Sequence, residues 1–199
     1  MIGIIEYGAG NLFSLTATLS RLELNYKLIK EPLHFQDDFS HFIIPGVGHA
    51  EAAKNKLIDK KLWSCITTIK KPILGICVGM QLLTKHSEEG EVDLLNIIPL
   101  STKKFIGNQQ LKVPHMGWNS ITNVPNDPLF ASIPQGEYFY YVHSYYVEYS
   151  DIYTLSKTEY TLPFSSSIRK ENFWGVQFHP EKSGQAGAKL LHNFAQIEL

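Results

Sequence analysis

Apolar positions along this chain change period more than once. The run from Ile2 to Glu6 is apolar almost without interruption and predicts a short strand buried on both faces. A turn at Tyr7-Gly8-Ala9-Gly10-Asn11 follows, and then Leu12, Leu15, Leu19 and Leu22 recur at helical spacing. Further strand-like runs lie at 26–29, 42–45 and 73–77. Between the last two, a helical stretch from about Ala50 to Ile69 sets Leu57, Leu62, Ile66 and Ile69 on its inner face. Strands alternating with helices predict an α/β fold with an open, mostly parallel sheet flanked by helices. Beyond Thr84 the texture shifts to β-favouring runs punctuated by proline, glycine and asparagine, at 138–143, 145–149, 153–156, 166–169 and 173–178. These predict antiparallel strands added to the parallel sheet. A last helix is expected from about Ala186, with Leu190, Phe194 and Ile197 on one face. With no internal repeat and no linker, residues 1–199 read as a single domain.

Composition narrows the function. Hydrophobic residues make up 44% of the 199, enough for a buried core, and the net charge of −1 excludes a broad basic surface for nonspecific nucleic-acid binding. No apolar run approaches the roughly 18 residues of a membrane span. The start Ile2-Gly3-Ile4-Ile5 lacks the basic lead of a secretory signal, so a cytoplasmic protein is expected. Charged residues are only 19% and aromatic residues reach 12%, a balance that suits a surface covered by a partner. Two cysteines, Cys65 and Cys77, cannot build a disulfide framework.

Cys77 stands out by its context. The segment Gly75-Ile76-Cys77-Val78-Gly79 closes an apolar strand and opens a helix-capable stretch, which is the nucleophile-elbow pattern with cysteine in place of serine. The glycines leave room for a tight turn, and the helix start behind the turn favours thiolate. Cys65, among Leu62, Ile66 and Ile69, reads as packing. A second strand ends in His179-Pro180-Glu181, which supplies a base for the thiol and a carboxylate to orient that base. Alone, this tripeptide is an ordinary surface turn. Its weight comes from sharing with Cys77 a place at a strand's end, where open α/β sheets carry their sites. A third strand runs into Pro45-Gly46-Val47-Gly48, a turn that can aim backbone N–H groups at an oxyanion. The histidines show no metal-ligand spacing and no metal is expected. The run from Gly8 to Phe13 imitates a dinucleotide fingerprint, but Phe13 stands where the third glycine belongs, so no cofactor is expected.

The three runs, with Gly8–Leu12, Pro114-His115-Met116-Gly117-Trp118-Asn119 and His143-Ser144-Tyr145-Tyr146, resemble the class I (triad) glutamine amidotransferases along the whole chain. The Pro114–Asn119 run and the length narrow the resemblance to the branch that serves a histidine-pathway cyclase as a separate subunit. The resemblance implies a flavodoxin-like fold and a triad of Cys77, His179 and Glu181. It implies L-glutamine bound along Gly46, Val47, Gly48, Val78, Gln81, His143, Ser144 and Tyr145, with the N–H groups of Val47 and Val78 as the oxyanion hole. It implies ammonia delivery to a cyclase subunit with a (β/α)8 barrel, in a heterodimer whose contact would include Asn11, Trp118, Tyr140 and Lys182. Glu6 and Val78 depart from commoner aspartate and leucine, at positions outside the triad. The residues also leave open a paralogous glutaminase feeding another amination such as a surface-sugar pathway, a cysteine peptidase on the same elbow, and a non-catalytic binding protein.

Overall fold

The computed structural model describes residues 1–36, 38–122 and 126–199. In chain order the elements are β1 (Ile2–Ile5), α1 (Leu12–Arg21), β2 (Tyr26–Ile29), β3 (His41–Ile44), α2 (Ala50–Asp59), α3 (Trp63–Ile66), β4 (Ile73–Ile76) and α4 (Val78–Leu82). They continue with β5 (His86–Ser87), β6 (Val92–Asp93), β7 (Ser101–Lys104), β8 (His115–Ser120), β9 (Tyr138–His143), β10 (Tyr145–Val147), β11 (Thr154–Glu159), β12 (Pro163–Lys170), β13 (Phe173–Val176) and α5 (Gly184–Phe194).

The main sheet has the order β2-β1-β3-β4-β13-β12-β10-β7-β5-β6, with β11 also paired to β12. From β2 to β13 every pairing is parallel. Strands β1, β3, β4 and β13 are buried along their whole length, the uniform apolar pattern of strands covered on both faces. One core joins them to Leu15 and Leu19 of α1, Leu57 of α2, Ile66 of α3, Leu82 of α4, and Leu190, Leu191 and Phe194 of α5. From β13 outward, β12, β10 and β7 continue the sheet antiparallel, as the β-rich second half predicts. This topology sets the carboxyl ends of β3, β4 and β13 side by side, with Ile44 opposite Gly75 and Ile76 opposite Val176. Whatever follows Ile44, Ile76 and Val176 emerges at one edge.

Two expectations are corrected. The single helix from Ala50 to Ile69 is two helices. Lys61 takes φ 60°, Lys61 N–H donates to Ile58 O, and Leu62 N–H donates to Leu57 O at 2.8 Å. These two bonds form a Schellman motif that ends α2 without a glycine, and buried Leu62 supplies its apolar contact. The strand expected at 138–143, β9, does not join the main sheet and pairs instead with β8, where no strand is expected. They form their own antiparallel ribbon. Phe139 and Tyr141 on the ribbon's inner face pack against Phe178 just beyond β13, with ring centroids 4.1 and 5.7 Å away. Side-chain packing, more than a backbone ladder, therefore attaches it. Among the described residues no helix is long and apolar enough to cross a membrane.

The left-handed conformation at exposed Lys61 costs about 1–2 kcal/mol for a residue with a Cβ. Lys61→Gly removes that cost and adds some unfolded-state entropy, so stability should rise by about 0.5–1 kcal/mol. A higher urea midpoint with unchanged m-value checks it.

Candidate active site

Cys77 is the hinge between β4 and α4. Its backbone sits at φ 53°, ψ −110°, a region that non-glycine residues seldom occupy and that costs on the order of 1–3 kcal/mol. The turn holds because its neighbours lack side chains. A Cβ on Gly79 would run into the carbonyl of Ile44 at the end of β3, and one on Gly75 would meet the backbone of Gly79. A Cβ on Gly46 would stand 2.8 Å from Gly79 N and 2.9 Å from Val78 Cβ. The elbow therefore nests directly against the turn that follows β3. Tyr7, buried two residues beyond β1, donates from its hydroxyl to Pro45 O at 2.7 Å and braces that turn from behind. Burial, and then the neighbouring Cys77, push the Tyr7 phenol well above its ordinary range, which keeps it a neutral donor.

His179 comes to the same edge three residues past β13. Its N–H donates to Tyr140 O at 2.9 Å, and its carbonyl accepts from Ser183 Oγ at 2.6 Å. The same Ser183 Oγ accepts from Tyr140 N–H, so the backbone on both sides of the ring is clamped to β9. Pro180–Lys182 forms a short 3-10 turn that brings Glu181 back beneath the ring. Nδ1 of His179 lies 2.8 Å from Glu181 Oε1 with both side chains almost fully buried. A carboxylate only accepts, so Nδ1 carries the hydrogen and Nε2 is left for Cys77. Nε2 is buried without a hydrogen-bond partner. Burial pulls the imidazolium down, but Cys77 and then Glu181 outweigh it and hold the pKa above the ordinary histidine value.

Cys77 and His179 share a cavity of about 160 Å³ with Val47, Gly48, Val78, Gln81, His143, Ser144 and Tyr145. Of the glutamine-contact residues expected from sequence, Gly46 alone lies behind the wall, where it admits the elbow. The side chain of His143 is already engaged on both ring nitrogens, with His115 and with the Tyr145 carbonyl. Two further residues complete the site. Glu89 lines the cavity, and its Oε2 accepts from Ala50 N–H at 2.7 Å at the start of α2. Gln177, fully buried, directs Nε2 at Cys77 Sγ at 3.6 Å, while its Oε1 accepts from Gln81 Nε2 at 3.1 Å. Glu89 N–H donates to Ser87 Oγ at 3.1 Å, a bond that shapes the turn carrying its carboxylate. Gln177 shares the face of His179 by strand periodicity, and that was the available signal. Among the described residues no cluster could hold a metal.

The expected partner residues separate into two kinds. Trp118, Tyr140 and Lys182 form one group around the half-buried Tyr140 ring, with Trp118 6.2 Å from it and Lys182 Nζ 5.8 Å above it. Asn11 is the N-cap of α1. Its Oδ1 accepts from Ser14 N–H and its Nδ2 donates to Ser14 Oγ. Phe13 beside it, 82% exposed, offers the apolar surface instead.

A family model described as "Glutamine amidotransferase class-I" matches residues 4–197. The chain belongs to the class I glutamine amidotransferases. Among relatives, the imidazole glycerol phosphate synthase subunit HisH of Bacteroides thetaiotaomicron is 42% identical, over 98% of this chain and 99% of the relative. The HisH subunits of Haemophilus influenzae and Escherichia coli K12 are 44% and 41% identical, each over 98% of this chain and over 96% and 98% of their own lengths. Among solved structures, a glutamine amidotransferase superposes with a TM-score of 0.73 at 13% identity, covering 98% of this chain and 97% of that one. PurLQS from Thermotoga maritima gives 0.66 at 19%, covering 98% and 96%. These structures establish that the amidotransferase sheet is the fold of this chain.

Glu181 contributes to the raised pKa of His179, so Glu181→Gln should move the imidazole titration downward. NMR titration of the ring measures this directly. A His179 pKa unchanged by the substitution would contradict the assigned orientation.

Proposed function

We propose that this chain is the glutaminase subunit of an imidazole glycerol phosphate synthase. It hydrolyses L-glutamine to glutamate and ammonia, and the ammonia passes to a cyclase subunit with a (β/α)8 barrel. There it serves the formation of imidazole glycerol phosphate and aminoimidazole carboxamide ribotide in histidine biosynthesis. The supporting observation is the convergence of Cys77 and the His179–Glu181 pair on one small cavity that also carries the carboxylate of Glu89 and the amide of Gln81. Residues 1–199 act together as one amidotransferase domain in this reading.

The chemistry follows from the groups present. His179 Nε2 takes the proton of the Cys77 thiol, Sγ attacks the carboxamide carbon of glutamine, and the carbonyl π electrons move to oxygen. N–H groups of Val47 and Val78 receive that oxyanion. His179 Nε2 gives its proton to the departing nitrogen, the C–N bond breaks, and ammonia leaves a glutamyl thioester. His179 then takes a proton from water, hydroxide adds to the thioester, and glutamate departs as thiolate re-forms. Glu181 holds the Nδ1–H tautomer and stabilises the imidazolium through both steps. Glu89 pairs with the α-ammonium of glutamine, and Gln81, Ser144 and Tyr145 orient the rest. A site of about 160 Å³ is small beside the roughly 300–1,000 Å³ of drug-sized ligand sites, which favours a single amino acid over a peptide.

Exposed Met116, Trp118 and Tyr138 on the ribbon, with half-buried Tyr140 beneath Lys182 and with exposed Phe13, would lie under the cyclase. Covering the outlet keeps ammonia from water. Trp118→Ala should weaken cyclase binding about tenfold or more, as removal of a central aromatic anchor does. Isothermal titration against the cyclase measures it.

The direct assay is glutamate release with and without the cyclase and its ribonucleotide substrate. The complex should turn over glutamine faster than the isolated chain, and Cys77→Ala should abolish turnover with cyclase affinity retained. Glu89→Gln should raise KM for glutamine about tenfold or more while kcat changes less. Turnover without ammonia transfer to the ribonucleotide would leave the glutaminase and move the acceptor to another amination.

A further inference from the structure

His115 takes no part in the chemistry above, yet it sits in a chain of hydrogen bonds that ends at the cavity. Tyr145 O lies 2.7 Å from His143 Nδ1 and can only accept, so that nitrogen carries the hydrogen. His143 Nε2 is then an acceptor, and its neighbour at 2.9 Å, His115 Nδ1, is the donor. His115 Nε2 in turn accepts from Asn119 Nδ2 at 3.3 Å, and the same amide nitrogen gives its other hydrogen to Glu159 O. Every link runs one way, from Asn119 on β8 to the Tyr145 carbonyl. Reversing one link would set two acceptors or two donors face to face.

The Tyr145 carbonyl also accepts from Gln81 Nε2 at 3.2 Å. The second hydrogen of that amide goes to Gln177 Oε1, which turns the Gln177 amide nitrogen toward Cys77 Sγ. With both Nε2 hydrogens spent, the oxygen of Gln81 is what remains for a ligand. The two imidazoles stand among aromatic rings. His115 stacks on Tyr141 and Tyr160, with centroids 4.7 and 4.1 Å away, and meets Phe105 and Phe164 edge-on. Two apolar rings would fill that space without desolvating polar nitrogens, so packing does not account for the pair. Burial pushes the pKa of His115 down to about 4 and that of His143 to about 3, so both rings stay neutral near pH 7.

We infer that His115 is a positioning residue for the glutamine site: through His143 it holds the Tyr145 carbonyl in place, and that carbonyl, together with Gln177 Oε1, takes both hydrogens of the Gln81 amide. The inference rests on the reading of the cavity as a glutaminase site.

Two variants, assayed with the cyclase present, separate positioning from packing. His115→Phe keeps the stacked ring and removes the donor. His115→Asn keeps an N–H near the place of Nδ1 and loses ring volume. Positioning predicts that His115→Phe raises KM for glutamine roughly tenfold with kcat less affected, the scale of one unsatisfied buried group. It predicts that His115→Asn, although lower in thermal midpoint, stays within about threefold of the wild-type KM. The opposite ranking, with KM following thermal stability, would overturn the relay as a positioning device. Ring ¹⁵N shifts of the wild type read the relay without reference to glutamine. Both histidines should be neutral with hydrogen on Nδ1 at pH 7, and the Nε2–H form of either would overturn it. A wild-type complex with normal ring shifts but no glutaminase activity would instead overturn the proposed function.

Discussion

The backbone of Cys77 is the constraint on which the rest of the site depends. A cysteine at φ 53°, ψ −110° does not persist by itself. It persists here because Gly75, Gly79 and Gly46 allow the elbow, the end of β3 and the following turn to approach to backbone contact. That closeness brings Val47, Gly48 and Val78 to the same cavity wall as the sulfur. The strain therefore aims the thiol and gathers the N–H groups in one move. A looser turn would relieve the cysteine and disperse both.

The second feature is how the buried polar groups are satisfied. The side chains around the cavity form directed chains: Gln81 to Gln177 to the sulfur, His143 to the Tyr145 carbonyl, and Glu181 beneath His179. Against that background, buried His179 Nε2 and Glu181 Oε2 lack partners. An unbonded imidazole nitrogen beside the Cys77 thiol is poised to move a proton. His179 N–H donates to Tyr140 O, and Ser183 Oγ accepts from Tyr140 N–H while donating to His179 O, so these bonds tie the nitrogen to the ribbon whose outer face carries Trp118. The candidate partner surface and the candidate base are thus two faces of one small unit.

Much of this was legible in the sequence, for identifiable reasons. Strands buried on both faces leave uninterrupted apolar runs, so β1, β3, β4 and β13 could be placed to within a residue or two. A cysteine between two glycines at the end of such a run has few structural explanations. Asn11 shows a different limit: its side chain caps α1, a local role that the resemblance does not speak to. The break at Lys61 was hidden because a Schellman turn normally announces itself by glycine. The ribbon's independence was hidden because alternation within β8 and β9 does not say which sheet they join. Glu89 is one of several glutamates in its stretch and gains meaning only from what folding sets across from it, while Gln177 has only its two-residue spacing from His179 to mark it. The His115–His143 pair is joined across 28 residues of sequence, and nothing local marks it.

The central claim is that Cys77 forms a covalent bond to the glutamyl group of glutamine during turnover. Acid quenching of the complex in steady state, followed by mass spectrometry of the Cys77 peptide, measures this directly. A glutamyl adduct on Cys77 that disappears when glutamine is exhausted is the predicted result. Glutamine turnover that continues in Cys77→Ala, or an adduct found at another residue, would contradict it.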